Sequence, residues 1–592
     1  MTGPRHIRLI QLRPGDWQDA LSCRLTIYAL DSSPPYSALS YTWGGSGRSQ
    51  IIKCDDRGLP ITENLSKALR SFRHATEIRT FWVDAVCINQ ADIPERNSQI
   101  GLMKEIYHTA QDVVIWIGED DEDTADGINL LKQVYAAALE GKLPDFSDMF
   151  FLEEKLEQAE LPKYDSSMWK AVIDLYRRAW FSRIWVVQEL AVARSAVVYC
   201  GRQSLPWSYF SNSAPCVHKA VTWNYFNSKL RFEYNRFRGM NSCRDSLQQG
   251  IQPPLLDCLS MARSNFSMDP RDKVFGILGL ASDAKVLLPN PDYSTPVTEM
   301  YITLTKTMIT SQRSLEVLSE IEDPRWSLID KLPSWAVDWS AQPRAIPFRL
   351  LPFWANFHAA SDSEVRLGRS TIPGTLVITG MTIDTVRRCG LPLLRTRPLN
   401  SPWLRGISLV GANTLRAVSV NCIAQARWQQ WERIALKLRS YPNRPSVAEA
   451  YHRTLVAGAR MLDSPHDVNF LYRAYLQASD FLRGPTAFVC GAEPAEEFCT
   501  HWRQYAENVE SACHGRLFFT TSNGYMGLAP LSTRSGDLIC IFLGGRTPFV
   551  LRPDGKNTHK FIGECYVEGR MHGEAMVTVD GDDGNFKEFV LH

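Results

Sequence analysis

Three short apolar segments near the amino terminus decide the fold class: YSALSYTW at Tyr36–Trp43, FWVDAVCI at Phe81–Ile88 and VVIWI at Val113–Ile117. Each has the length of a strand, and the residues between them carry apolar side chains at helical spacing. Short apolar strands that alternate with amphipathic helices are typical of a parallel sheet covered on both faces. A further apolar segment, Ser195–Cys200, predicts a return to the same sheet.

The carboxy-terminal region has a different pattern. Leu538–Leu543 and Pro548–Leu551 flank Gly544-Gly545-Arg546, which is a hairpin signal. Phe561–Val567 and Glu574–Val579 are predicted as further strands, so we expect a small antiparallel sheet or barrel here.

The middle of the chain is predicted to be largely helical, and the whole chain is predicted to divide into four parts. These are an α/β domain at 36–200, a helical extension at 201–340, a mixed region with a basic linker at 341–445, and a helical and antiparallel β module at 446–592.

Composition excludes several classes of function. The 65 Lys and Arg residues nearly cancel the 64 Asp and Glu residues, so no global field predicts binding to nucleic acid. No stretch is apolar for the length of a membrane span, and the amino terminus lacks a signal sequence, so we expect a cytoplasmic protein. Cys490, Cys499, His501, Cys513 and His514 invite a zinc interpretation, but their spacings fit no standard pair and we predict no metal.

Two apolar segments carry polar candidates for a ligand site. Ser40, Tyr41, Trp43 and Gly44 follow the first predicted strand, and ligands of open α/β sheets bind at the carboxyl ends of strands. These residues could contact a phosphate or a nucleobase; alternatively, the aromatic pair packs under a helix and Gly44 makes a turn. Asp84 is an acid in an otherwise apolar predicted strand, where it binds a ligand or serves structurally, paired with Arg96 or a backbone cap.

Several motifs, in this order, resemble the signature blocks of the heterokaryon-incompatibility (HET) domain family. The three principal blocks are ALSYTWG at Ala38–Gly44, WVDAVCINQ at Trp82–Gln90 and WFSRIWVVQELA at Trp180–Ala191. DPRDKVFGILGLA at Asp269–Ala281 and the carboxy-terminal stretches, such as GDLICIFLGGRTPFVLR, resemble the extension of the large members of that family.

The resemblance implies a role in fungal non-self recognition, in which HET domains trigger programmed cell death. It also implies a TIR-like fold, a flavodoxin-like parallel sheet. Some TIR domains hydrolyse NAD⁺ with a glutamate in a Ser-x-x-Trp-Cys-x-x-Glu-Leu-like motif, and Ser182–Leu190 has a similar arrangement. Glu189 is therefore the implied catalytic carboxylate and NAD⁺ the implied substrate, with no resident cofactor. Trp185, one helical turn earlier, would offer an aromatic surface to the same ligand.

Two hypotheses of function stay open. The first is an enzyme, a TIR-like NAD⁺ glycohydrolase in which Glu189 stabilises the positive charge that develops on the ribose. The second is a non-enzymatic module that signals by self-association or by binding a protein from an incompatible allele or locus. Under the second hypothesis Trp185 belongs to the core and Glu189 pairs with Arg183 or Arg194 at the surface. The arginine-rich region Arg387–Arg444 would then be a linker or a contact for an acidic partner.

Overall fold

A computed structural model shows two compact units, Met1–Pro296 and Val297–His592. It describes residue 3 and residues 5–592, with gaps at 46, 56, 144–151, 164–165, 226–227, 322–323, 352–356, 371, 394–425, 443, 445, 460–471, 473–504, 506–507, 556 and 578–585. No helix in the part of the chain so described is long and apolar enough to cross a membrane.

The first unit is built around a nine-stranded mixed sheet with the order β5-β4-β2-β1-β6-β3-β7-β8-β9. Its strands are β1 His6–Leu12, β2 Ser22–Ala29, β3 Ser37–Tyr41, β4 Gln50–Cys54, β5 Arg57–Ile61, β6 Arg79–Trp82, β7 Asp112–Trp116, β8 Ala196–Cys200 and β9 Gln203–Pro206. Its helices are α1 Glu63–Phe72, α2 Asp84–Cys87, α3 Ile93–Thr109, α4 Thr124–Leu139, α5 Leu152–Gln158, α6 Ser167–Tyr176, α7 Val186–Ala191, α8 Trp207–Tyr225, α9 Ser228–Gln248, α10 Leu255–Ala262, α11 Asp272–Phe275 and α12 Ala284–Leu287.

The centre of this sheet confirms the predicted α/β class. Strand β3 pairs in parallel with β6 on one side and β7 on the other, and β7 pairs in parallel with β8. If these four strands are numbered along the chain, their order across the sheet is 2-1-3-4, which is the arrangement of flavodoxin-like sheets. The outer strands make the sheet mixed, because β1 pairs antiparallel with both β2 and β6, and β9 pairs antiparallel with β8. Ligands of such sheets bind outside the carboxyl ends of the parallel strands, where the order reverses.

One predicted strand of this unit is wrong. Phe81–Ile88 is not a single strand, because β6 ends at Trp82 and the four-residue helix α2 begins at Asp84. Asp84 is the first residue of this helix, and its carboxylate accepts a hydrogen bond from the backbone N–H of Ala85 at 2.7 Å, which gives a partner to one of the N–H groups that a helix start leaves free. Asp84 therefore lies just beyond the carboxyl end of β6 rather than inside the sheet.

The second unit contains a closed β-barrel, as the carboxy-terminal pattern predicts. Its strands are β10 Leu376–Cys389, β11 Arg516–Thr521, β12 Met526–Pro530, β13 Leu538–Phe542, β14 Phe549–Pro553, β15 Thr558–Glu564, β16 Tyr566–Val567 and β17 Lys587–Leu591; its helices include α13 Val297–Gln312, α14 Val447–Leu455 and α15 Glu574–Val577. The β13–β14 hairpin encloses the predicted Gly544-Gly545 turn.

Closure of the barrel depends on one long strand. The first part of β10 pairs with β17, its middle pairs with β13 and its end pairs with β11. Strands β13, β14, β15 and β17 complete the ring, and β17 enters it between β10 and β15. The last strand of the chain therefore closes a sheet that begins at Leu376.

The predicted strand at Glu574–Val579 is wrong in the part that the structure describes. Glu574–Val577 is a helical turn after Gly573, whose φ of +81° favours glycine. The Glu574 carboxylate also accepts a hydrogen bond from the backbone N–H of His572 at 2.7 Å. Most of the predicted basic linker, 394–425, lies outside the described residues, and β10 extends into its start, as far as Cys389.

We expect Phe589→Ala to destabilise the barrel. Phe589 is fully buried in β17 and contacts Phe542 of β13 with 5.7 Å between ring centroids. Loss of a buried phenylalanine costs about 3–5 kcal/mol of unfolding free energy. Urea unfolding, followed by a signal that reports on the barrel, measures the loss of unfolding free energy. Glu588→Ala, at an exposed position of the same strand, is the control. Equal stability of the two variants would contradict a closing role for β17.

Candidate functional site

A buried hydrogen bond joins the end of the first parallel strand to helix α7. The Ser40 hydroxyl in β3 donates to the carboxylate of Glu189, and both side chains are buried, with Glu189 only 3% exposed. The indole N–H of Trp180 donates to the same hydroxyl at 2.8 Å. The hypothesis that Glu189 pairs with an arginine at the surface is therefore wrong, because its carboxylate lies in the interior beside β3.

This environment changes the acidity of Glu189. Burial raises the pKa of its carboxyl to about 7, and the negative charge of Asp84 acts in the same direction. The positive charge of Arg183 and the hydrogen bond from Ser40 lower the pKa and partly offset the effect of burial. A carboxyl with a pKa near 7 exchanges protons at neutral pH, as a general acid or base requires.

A second carboxylate lies beside the first strand. Asp84 accepts a hydrogen bond from the indole N–H of Trp43 at 2.8 Å. The buried Tyr41 hydroxyl lies near the same carboxylate without a hydrogen bond of ordinary geometry. Burial raises the pKa of Asp84, whereas the charge of Arg183 and the hydrogen bond from Trp43 lower it. The predicted partner Arg96 stacks instead on the ring of Tyr293, at 4.1 Å from its centroid.

The loop after β3 is fixed by helix α1. The side-chain amide of Asn64 donates to the carbonyl oxygen of Thr42 at 2.6 Å and to its hydroxyl at 3.0 Å. The amide oxygen of Asn64 accepts from the indole of Trp116 in β7 at 3.0 Å. Gly44 is exposed and has a φ of +76°, a conformation that favours glycine. This agrees with the interpretation that Gly44 makes a turn after the first predicted strand. Trp43 is partly exposed, at the rim of the site.

The charge of Arg183 acts on both carboxylates. Its guanidinium donates to the backbone carbonyl of Tyr41, and its charge lowers the pKa of both Glu189 and Asp84. Sequence reasoning named Arg183 only as a surface partner. Arg183 directly follows the turn Ala179–Ser182, which separates α6 from α7.

Trp185 lies near a carboxylate that sequence reasoning missed. It directly precedes α7, and the nearby carboxylate of Asp272 accepts a hydrogen bond from the Tyr293 hydroxyl. Asp272 and Tyr293 belong to DPRDKVFGILGLA and PDYS, which the sequence offers only as parts of a downstream extension. The signal was present in these motifs, but nothing in their spacing indicates that they reach Trp185.

The structure thus brings all the predicted site residues to one edge of the sheet, in two groups. Ser40, Tyr41 and Glu189 form the buried group, while Trp43, Asp84 and Trp185 lie partly exposed with Gly44 in the adjoining turn. Of the residues considered for zinc, Cys490, Cys499 and His501 lie outside the described residues.

Two regions of the chain match known families. Residues 36–189 match the Heterokaryon incompatibility protein (HET) family, a range that begins one residue before β3 and ends at Glu189. Residues 498–586 match the Het-6 beta-barrel domain family. The chain is a HET-domain protein. The barrel match leaves out β10 and β17, the two strands that close the ring in the structure.

The similarity extends over nearly the whole chain in one curated relative. "Heterokaryon incompatibility protein 6, OR allele" of Neurospora crassa is 25% identical, over 98% of this chain and 95% of the relative. No solved structure matches the chain.

We expect Ser40→Ala to destabilise the HET domain. The substitution removes the hydroxyl that bonds both the Trp180 indole and Glu189, and leaves two buried polar groups short of a partner. The expected cost is about 1–3 kcal/mol of unfolding free energy. Urea unfolding followed by tryptophan fluorescence measures it. Ser37→Ala, at a partly exposed position of the same strand, is the control and should change stability by less than about 0.5 kcal/mol.

Glu189 also gives the HET domain a specific pH dependence. Because its pKa is raised from 4.5 to about 7 in the folded state, the folded protein binds more protons than the unfolded protein between these values. Its contribution to stability is fully present below pH 4.5 and is lost as the pH rises through 7. Glu189→Gln has no such loss, so its melting temperature relative to wild type should increase from pH 5 to pH 8.

Melting curves across this pH range test the dependence. The exposed Glu157→Gln in α5 is the control, and its difference from wild type should not vary with pH. A constant difference for Glu189→Gln as well would show that Glu189 is ionised throughout the range.

Proposed function

We propose that this HET-domain protein acts in heterokaryon incompatibility as an effector of programmed cell death, and that its HET domain hydrolyses the nicotinamide–ribose bond of NAD⁺. The observation that carries the enzymatic part is the buried Glu189 carboxyl, with its pKa near 7, held by Ser40 at the carboxyl edge of the parallel strands. The incompatibility role is supported by the HET family match and by the relative named heterokaryon incompatibility protein 6.

The proposed reaction breaks the bond between ribose C1′ and the nicotinamide nitrogen. Nicotinamide leaves with the bonding electron pair, positive charge develops on the ribose, and water adds to C1′ with loss of a proton. The Glu189 carboxylate would stabilise the charge and accept the proton from water, while Arg183 favours its ionised form. Trp43 and Trp185, both partly exposed, would stack against the aromatic rings of the dinucleotide.

The burial of Glu189 sets a condition on this activity. At 3% exposure the carboxylate is closed to a dinucleotide, so the proposed substrate requires a rearrangement of the covering side chains. We propose that self-association, or binding of a protein from an incompatible allele or locus, produces the open form. The resting protein would then be silent, which suits an effector whose activity kills the cell.

The same burial also favours a second candidate function. A buried Ser–Glu hydrogen bond that receives an indole N–H is a structural arrangement in many cores, because buried polar groups need partners. On this alternative the HET domain is a non-enzymatic module that signals by self-association, and Glu189 only specifies its packing.

Nicotinamide release distinguishes the two functions. Purified full-length protein is incubated with NAD⁺ at increasing protein concentrations, and nicotinamide is quantified by chromatography. We expect turnover at concentrations that support self-association, and we expect it to rise with pH as the Glu189 carboxyl becomes ionised. Glu189→Gln should reduce turnover at least about 100-fold, because it removes the charge that acts in the transition state.

Glu157→Gln is the matched control and should retain full turnover, since Glu157 is an exposed residue of α5. Absence of turnover by the assembled wild-type protein would reject the enzyme. Full turnover in Glu189→Gln would reject this residue as the catalytic carboxylate. Cell death that persists with Glu189→Gln but requires self-association would favour the non-enzymatic module.

A further inference from the structure

Helix α7, which carries Glu189, depends on other parts of the chain for its position. It spans only Val186–Ala191, and an isolated helix of this length is unstable in water. The last carbonyl oxygens of any helix also lack partners within the helix itself. The position of the Glu189 carboxyl is therefore decided by the groups that hold α7 from outside.

The carboxyl end of α7 is held by one buried cation, Arg244 of α9. Its guanidinium Nη1 donates to the carbonyl oxygen of Leu190 at 2.6 Å and to that of Ala193, just after the helix, at 2.8 Å. Arg244 is only 7% exposed, and a positive charge at a helix carboxyl end is favoured by the helix dipole. Because Leu190 directly follows Glu189, this contact acts one residue away from the candidate catalytic carboxyl.

Arg244 is itself held in a fixed place. With its amide oxygen facing the guanidinium, Gln248, one turn later in α9, accepts from Nη2 at 2.9 Å and from Nε at 3.3 Å. Helix α9 lies close against α10, since a Cβ at Gly239 would lie 2.2 Å from the carbonyl oxygen of Met261. Only glycine permits so close an approach. The donor to the end of α7 therefore belongs to a helix that has little freedom to move.

The chain that leads into α7 is held by the residues that follow α10. The Phe266 N–H donates to the carbonyl oxygen of Ser182 at 2.6 Å, and the Phe266 carbonyl accepts from the N–H of Ile184 at 2.9 Å. The buried side chain of Asn265 donates to the carbonyl oxygen of Arg183 at 3.0 Å. These contacts fix the backbone just before α7, while Arg244 fixes its other end.

The middle of α7 has a third attachment. The side-chain oxygen of Gln188, which directly precedes Glu189, accepts from the backbone N–H of Gly279 at 3.0 Å. A Cβ at Gly279 would lie 2.4 Å from that oxygen, so this approach also requires glycine. All three attachments come from residues 244–279, which lie beyond the family match at 36–189.

We propose that Arg244 is a positioning residue for Glu189, and that the HET-domain site is complete only with residues 244–279. Arg244 holds the carboxyl end of α7, and this keeps the Glu189 carboxyl in place against the hydroxyl of Ser40. As far as turnover of NAD⁺ is concerned, this role rests on the proposed function. The effect of Arg244 on the contact between Ser40 and Glu189 does not.

A double-mutant cycle of melting temperatures tests the positioning without any substrate. Arg244→Met and Ser40→Ala are made in the full-length protein, separately and together. If Arg244 acts through the contact between Ser40 and Glu189, the double variant should lose less than the sum of the two separate losses. Additive losses would overturn the positioning role, because additivity is the behaviour of independent sites.

Two further variants complete the cycle. Arg238→Met, at an exposed position of α9, is the matched control, and its effect should add to that of Ser40→Ala. Arg244→Lys is the second variant, in case Arg244→Met does not fold. It keeps the charge and a donor, so we expect a smaller loss that is again less than additive with Ser40→Ala. Additive losses for a folded Arg244→Lys would also overturn the role.

Kinetics with NAD⁺ separate positioning from substrate binding. We expect Arg244→Met to lower kcat at least about tenfold with little change in KM, because a buried residue that displaces the catalytic carboxyl acts on the chemical step. Arg244→Lys should recover part of kcat, and Arg238→Met should equal wild type. A raised KM with unchanged kcat would overturn the positioning of Glu189 for catalysis. If the wild-type protein releases no nicotinamide, the proposed function fails, and the melting-temperature cycle alone decides the role of Arg244.

Discussion

The hydrogen bond between Ser40 and Glu189 connects residues 149 positions apart, and most of the candidate site is arranged around it. Ser40 belongs to the central parallel strand, and Glu189 to a six-residue helix that has little stability of its own. A carboxyl buried this deeply must find donors, and it finds one on β3. The helix is therefore anchored to the strand through a group that retains its acid–base chemistry.

The proposed hydrolysis of NAD⁺ places two requirements on Glu189 that usually oppose each other. A carboxyl closed to solvent is stable in its protonated form, whereas catalysis at a ribose requires the charged form. Arg183 offsets part of the effect of burial, because its positive charge favours ionisation of Glu189 and Asp84. Its guanidinium also donates a hydrogen bond to the carbonyl of Tyr41. The result is a carboxyl that is neither fully neutral nor fully ionised near pH 7.

The centre of both units could be predicted from sequence because their elements are local patterns. Apolar runs at Val113–Ile117 and Ser195–Cys200 predicted β7 and β8, and the glycines at 544 and 545 predicted the β13–β14 hairpin. The start of α2 at Asp84 could not be predicted, because an apolar run of eight residues with one acid fits a strand equally well. The position of β17 in the barrel depends on pairing with β10, far away in sequence, and periodicity carries no information on such partners.

In the candidate site as well, local patterns could be predicted from sequence and distant contacts could not. Residues of the first strand and of the WFSRIWVVQELA block could be proposed from their types and from the resemblance. The contacts that give them their properties, from Ser40 to Glu189 and from Trp180 to Ser40, join distant segments, so only the folded chain reveals them.

The closure of the barrel by its last strand has a consequence for biosynthesis. Strand β10 leaves the ribosome with its edge for β17 unsatisfied, and that edge stays open until residues 587–591 have emerged. At about 5–20 residues per second this delay is roughly 10–40 s, long enough for the first unit to fold beforehand. A ribosome that stops early thus releases a chain with a complete HET domain and an open barrel edge. Such a product should be recognised by chaperones, because unpaired edges of sheets associate readily.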